Sequence, residues 1–303
     1  SWKENFFIHT NLDAEDFKIC ICKHENIKKW PTILMVHGWG GTKDHLNTAY
    51  ATKFAAAGFM VMTFDYRGWG ESDSRLVIYK DMPKPSRWSN KVKVEAIAIR
   101  ELVDPLDQYE DIQSCLYFLE GDSRVDSSRL GVWGSSFGGG HAIMVGAKDP
   151  RIKVIVSQVG GMGTDMGFYS QELKKRLIKQ ARREEDPVPQ GVDIVPGLRG
   201  TPHLGRMALY QPISVAKNIK VPTLIIDAEN EELFDRRKNG LSVHNLIKGK
   251  VPTRYLTFPG RHYDIYGKNL EAVLKVQIDW FNEHLKQKNI LKFCMEGLLT
   301  LKI

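Results

Sequence analysis

The feature that most restricts this chain is a series of short apolar runs, each the length of a strand, separated by segments with helical spacing. The runs are Thr32 to Val36, Phe59 to Phe64, Leu130 to Trp133, Val154 to Val156, Thr223 to Ile226 and Arg254 to Phe258. Strands that are apolar on both faces are buried on both faces, which points to a parallel sheet sandwiched between helices. Phe6 to Cys22 is more polar and alternates, which predicts an antiparallel hairpin at the sheet edge. Tyr109, Ile112, Leu116 and Leu119 recur at helical spacing after Asp104-Pro105, a helix start signal. Leu270, Leu274, Ile278, Phe281 and Leu285 do the same near the end. The pattern predicts an α/β, doubly wound, mostly parallel sheet with right-handed crossovers.

One stretch breaks the rhythm. From about Gly160 to Lys220 no strand pattern occurs, and a structureless loop of that length is foreign to a compact core. It reads as a helical cap inserted into the domain, leaving 1–159 and 221–287 as the core and 288–303 as a tail. The tail alternates basic and apolar residues and is a candidate to pack on the core or on a second copy, so a homodimer is an expected assembly.

Broader properties exclude several classes. No apolar run approaches the roughly 20 residues a membrane-spanning helix needs. The opening residues lack a signal-peptide layout, so a cytoplasmic location is expected. Cys20, Cys22, Cys115 and Cys294 fit no zinc or disulfide spacing and are expected to be reduced thiols. The net charge is +7. Its densest run, Lys174 to Arg183, is followed at once by Glu184-Glu185-Asp186, as on a solvated helix face and not a nucleic-acid surface. No metal site or nucleotide loop is found, and no cofactor is expected.

The chemistry lies in three segments. Gly134-Ser135-Ser136-Phe137-Gly138 is a G-x-S-x-G pattern between a strand end, Val132-Trp133, and a helix start. A sharp strand-to-helix turn there strains the serine backbone and lifts its hydroxyl above the sheet at a helix N-terminus. Ser136 is therefore the candidate nucleophile. His37-Gly38-Trp39-Gly40-Gly41 follows another strand end. Acyl transfer needs two preorganised donors for the oxyanion. The Phe137 and Trp39 backbone amides are the candidates, with His37 holding the loop. His262 follows the last strand, at the sheet edge where open α/β sheets place their sites, and is the candidate base. The acid should follow Thr223 to Ile226. Glu231, ahead of Leu233-Phe234, matches best, Asp235 is the next choice, and Glu232 and Asp227 come after it.

Together these residues resemble the α/β-hydrolase superfamily, especially its dienelactone hydrolase-like and S15 peptidase-like esterases. Asp65-Tyr66-Arg67-Gly68-Trp69-Gly70-Glu71-Ser72 is similar to the D-x-R-G-x-G-x-S loop of that superfamily. Val125-Asp126 through Arg129-Leu130-Gly131 is similar to its lead-in to the nucleophile strand. The resemblance spans about Ile33 to Leu285 without the cap, and it departs where Glu231 stands at a position that is most often Asp. It implies a serine hydrolase, carboxylesterase-like, that cleaves an ester or thioester through an acyl-enzyme. A C–C bond hydrolase or acyltransferase on the same triad is the alternative, and a catalytically silent binding module is the alternative of another class. Trp69, Met162, Phe168, Tyr169 and Tyr210 are candidate pocket residues for a small-molecule substrate, each equally readable as packing.

Overall fold

The computed structural model describes residues 2–9, 16–23, 29–78, 83–85, 87–89, 91–163, 171–185 and 197–286. Its main sheet has eight strands: β1 (Trp2–His9), β2 (Asp16–Lys23), β3 (Trp30–Val36), β4 (Met60–Phe64), β5 (Val125–Ser135), β6 (Val154–Gln158), β7 (Thr223–Ala228) and β8 (Thr253–Phe258). Their spatial order is β1-β2-β4-β3-β5-β6-β7-β8. β1 and β2 form the expected antiparallel edge hairpin, β2 meets β4 antiparallel, and every other pair is parallel.

Helices α1 (Pro105–Gly121), α2 (Phe137–Lys148), α3 (Gln171–Ala181), α4 (Gly240–Ile247) and α5 (Leu270–Phe281) include the two that the periodicity predicts. Asp104 caps α1 by accepting from the Leu106 and Asp107 amides, and Pro105 sits at the first helical position. Alternate residues of each strand feed two separate cores. Leu34, Val132, Ile155 and Ile225 pack with Ile112, Leu116 and Leu119 of α1 and with Val243 and Ile247 of α4. Ile33, Trp133, Val156 and Ile226 pack on the other side with Phe54 and with Val273, Leu274 and Phe281 of α5. Each such side chain contributes about 1.5–3 kcal/mol by leaving water, which is why the strands read as unbroken apolar runs.

Two long excursions leave the sheet. The one after β4 carries an antiparallel ribbon, Leu76–Ile78 against Ala96–Ala98, which strand-period reading did not anticipate. The one after β6 holds α3 and short helical turns at Leu204–Met207 and Pro212–Val215. Among its described residues none joins the main sheet. The two excursions meet where Thr201–Pro202 pairs with Leu102–Val103. α3 is largely exposed, and its basic residues pair with the acids that follow, Lys179 with Glu185 at 3.1 Å for example. The 288–303 tail, Cys294, and the side chains of Cys20 and Cys22 lie outside the description. Cys115 is a buried free thiol. Among the described residues no helix is long and apolar enough to cross a membrane.

Candidate active site

Ser136 follows β5 directly and caps α2, with φ 57° and ψ −125°. A non-glycine residue in that region is strained, and the surroundings must hold it there. They do so through backbone bonds. Ser136 N donates to Gln158 O at 2.9 Å, and Ser136 O accepts from Gly139 N at 2.9 Å and Gly161 N at 3.2 Å. The His37–Gly41 loop, the candidate oxyanion loop, lies against the serine. A Cβ placed on Gly38 would come 2.9 Å from Ser136 Cβ and 3.4 Å from Ser136 Oγ. Only glycine lets the backbone approach this closely.

Trp39 and Phe137 face each other edge to face, with ring centroids 5.6 Å apart. Among the turn and loop bonds of the described residues neither amide donates to a backbone carbonyl, and these two amides are the candidate oxyanion donors. His37 is buried with Nδ1 3.1 Å from Gly38 O, and burial lowers its pKa to about 4. It is therefore a neutral ring packed on Tyr66. The loop after β4 explains its own sequence pattern. Asp65 accepts from Lys43 N and Lys43 Nζ, both at 2.8 Å, and from Glu71 N at 3.1 Å. Arg67 grips Asp111, and Ser72 Oγ donates to Asp65 O at 2.7 Å. These bonds tie the β3 and β4 loops together beside the cleft.

His262 opens a short helical turn after β8. Its Nδ1 lies 2.8 and 2.9 Å from the two carboxylate oxygens of Glu231. The two side chains are only 2 % and 1 % exposed. A carboxylate can only accept, so Nδ1 carries the proton and Nε2 is left with its lone pair. The other acids go elsewhere. Asp235 pairs with Arg237 at 3.0 Å. Glu232 accepts from the His262 backbone amide at 2.9 Å. Asp227 is buried against Gly240, and burial pushes its pKa up to about 7.

Ser136 and His262 border one cleft of about 730 Å³, shared with Trp39, Trp69, Tyr263, Leu198 and Arg199. Of the candidate pocket residues, Trp69 lines the cleft and donates its indole N–H to Leu102 O at 3.0 Å. Met162 and Tyr210 do not reach it. Met162 is fully buried, and Tyr210 is locked in the interior by a 2.5 Å bond to His141 Nδ1. Phe168 and Tyr169 lie outside the described residues. Sequence reasoning missed Tyr50, Tyr266, Glu101 and Arg199. Glu101 had no local signal: it adopts φ 57° and pairs with Arg199, whose carbonyl rests on Gly40 of the oxyanion loop.

Comparison with known proteins identifies the family. The family model for X-Pro dipeptidyl-peptidase (S15 family) matches residues 19–176, and that for the prolyl oligopeptidase family matches residues 105–288. An uncharacterized 31.7 kDa Escherichia coli protein from the traX-finO intergenic region is 27% identical over 288 residues, covering 85% of this chain and 92% of that protein. Thiohydrolase aneE of Aspergillus aculeatus is 30% identical over 127 residues, 42% of this chain and 33% of that one. Among solved structures, DcsB in complex with its substrate analogue superposes with a TM-score of 0.74 at 20% identity, over 94% of this chain and 99% of that one. The chain belongs to the α/β-hydrolase superfamily, in the branch of the S15 and S9 peptidase families, and is a hydrolase of that class.

Proposed function

We propose that the protein hydrolyses a carboxylic ester or thioester through an acyl-enzyme formed on Ser136. The observation that carries this reading is the buried Glu231–His262 pair, which presents a basic Nε2 in the cleft that holds the strained serine. In the first half-reaction Ser136 Oγ bonds to the carbonyl carbon while His262 Nε2 takes its proton. The oxyanion is met by the Trp39 and Phe137 amides. The alkoxide or thiolate then leaves with the proton from the imidazolium. Water enters by the same route, releases the free acid and restores Ser136. The thioester arm draws support from the thiohydrolase relative.

The segment 160–220 acts in this reading as a cap over the cleft, with Leu198 and Arg199 as its contribution to the wall. The test is a fluorophosphonate probe followed by peptide mapping, run beside a panel of chromogenic esters and thioesters. Ser136 should be the labelled residue, and Ser136→Ala should abolish both labelling and turnover. Labelling that persists in Ser136→Ala removes the assignment. Release of free acid without an added acceptor separates hydrolysis from acyl transfer.

A further inference from the structure

A buried chain of hydrogen bonds runs from the core to the cleft, and chemistry fixes its direction as far as Gln158. It starts at Trp133, whose indole N–H can only donate. That N–H lies 3.0 Å from Gln277 Oε1, so the amide of Gln277 must present its oxygen to Trp133 and its nitrogen to the far side. Gln277 Nε2 donates to Gln158 Oε1 at 2.7 Å. Gln158 is therefore held the same way round, and its Nε2 donates to Tyr50 Oη at 3.1 Å and Ser135 Oγ at 2.9 Å. Ser135 Oγ in turn lies 2.6 Å from Tyr266 Oη. Ser135 is largely buried at the edge of the cleft, and its oxygen already accepts from Gln158. Either hydroxyl of this last pair can donate, and in the arrangement proposed below Ser135 donates to Tyr266.

With the last bond in that sense, both phenol oxygens accept from inside and both phenol hydrogens are left for the cleft. Tyr50 and Tyr266 border the cleft that holds Ser136 and His262. The Tyr266 ring lies 5.8 Å from that of His262. We propose that Tyr50 and Tyr266 form a pair of outward-facing donors that binds a second, uncharged carbonyl oxygen of the substrate, beyond the ester carbonyl that Ser136 attacks. The preferred substrates are then oxo-acyl esters or thioesters. This rests on the serine-hydrolase reading above and specifies its substrate.

Two further facts fit an uncharged oxygen. Burial pushes the Tyr50 phenol up to about 12 and raises that of Tyr266 as well, so both keep their protons at working pH. The Glu231 carboxylate lies close enough to Tyr266 to repel an anion bound there. A neutral acceptor meets two fixed donors without that repulsion. Because the donors are aligned by four buried side chains before substrate arrives, little ordering remains to be done on binding.

The test compares p-nitrophenyl acetoacetate and levulinate with p-nitrophenyl butyrate and pentanoate, using the wild-type protein, Tyr50→Phe, Tyr266→Phe and the double variant. Wild type should favour the oxo-acyl members in kcat/KM after correction for their intrinsic hydrolysis rates. Each Phe variant should reduce that preference by about threefold to tenfold, and the double variant should erase it, as expected for losing hydrogen bonds to a substrate carbonyl. The loss should fall in KM more than in kcat. If wild type cleaves both series without preference, or if the variants lower both series equally, the donor pair is structural and the proposal fails while the hydrolase reading stands. If wild type cleaves neither series, and Ser136 takes no phosphonate label, the hydrolase reading fails and takes this proposal with it.

Discussion

Five carboxylates lie between positions 227 and 235, and their chemistry separates only in three dimensions. Glu231 alone places both oxygens on His262 Nδ1. It also accepts from the Leu233 amide at 3.0 Å, which fixes its orientation. Glu231→Gln replaces an acceptor by an amide that can present a donor to Nδ1, favouring the wrong tautomer. Turnover should fall by roughly 10³–10⁴-fold with the melting temperature little changed. Asp235→Asn should leave turnover within about twofold, as for an exposed pair of small energetic weight. Steady-state kinetics on both variants decides it, and a reversed ranking would hand the role to Asp235. At this scale the sequence reveals a residue when its neighbours in the chain define it. Ser136 has its glycines, and His262 has its strand end. Tyr50, Gln158 and Tyr266 are invisible in this way, because their meaning comes from partners more than a hundred positions apart. Met162 and Tyr210 illustrate the reverse error. An aromatic or thioether side chain in an inserted segment suits a pocket and a core interface equally, and here the interface takes both.

The elements of the main sheet were legible because burial on both faces writes itself as an unbroken apolar run. The ribbon Leu76–Ile78 with Ala96–Ala98 was not, since its strands are three residues long and largely exposed. The excursion after β6 was recognisable by its missing strands, but its anchorage was not. Besides the Thr201–Pro202 pairing, one residue ties it to a core helix. Arg206 reaches Asp104 at 2.6 Å and Asp107 at 2.7 Å, while Arg75 meets Asp107 at 3.0 Å. Both acids are almost fully buried at the start of α1. Arg206 thus fastens the segment that carries Leu198 and Arg199 over the cleft to a core helix. Arg206→Ala leaves two buried carboxylates with reduced compensation and should cost about 3 kcal/mol in urea unfolding. The variant should also bind the phosphonate probe more slowly, because the cleft wall is released. A loss under about 1 kcal/mol would mean that Arg75 and the α1 amides suffice for both acids.

For the whole molecule, the notable electrostatic feature is how many titratable groups the sheet edge buries near the cleft. His141 donates from Nε2 to Gln108 Oε1 at 2.9 Å and accepts from Tyr210 at Nδ1, so it is folded as a neutral ring. Burial lowers its pKa from 6.5 to about 3, and that of His37 from 6.5 to about 4. Between those values and 6.5 the unfolded chain binds protons that the folded chain refuses. The stability these two rings contribute is fully present above about pH 6.5 and drains away as pH falls through about 4 and then about 3. Across its window His37 is worth roughly 3 kcal/mol and His141 roughly 5 kcal/mol. Asp227 acts with the opposite sign. Its pKa is raised from 3.8 to about 7, so its contribution is present at low pH and is lost as pH rises through about 7. Asp111, held by Arg67, is raised to about 7 in the same way, so the two carboxylates offset the two histidines between about pH 6.5 and pH 4, and each contribution shows in its own variant. His141→Gln keeps a donor and an acceptor in place without a titrating ring. Differential scanning calorimetry across this range should show a shallower acid limb for His141→Gln and, for Asp227→Asn, a steeper one. An acid limb of unchanged slope in His141→Gln would mean that this ring accepts its proton in the folded state after all, with Tyr210 turning its hydroxyl oxygen to meet it.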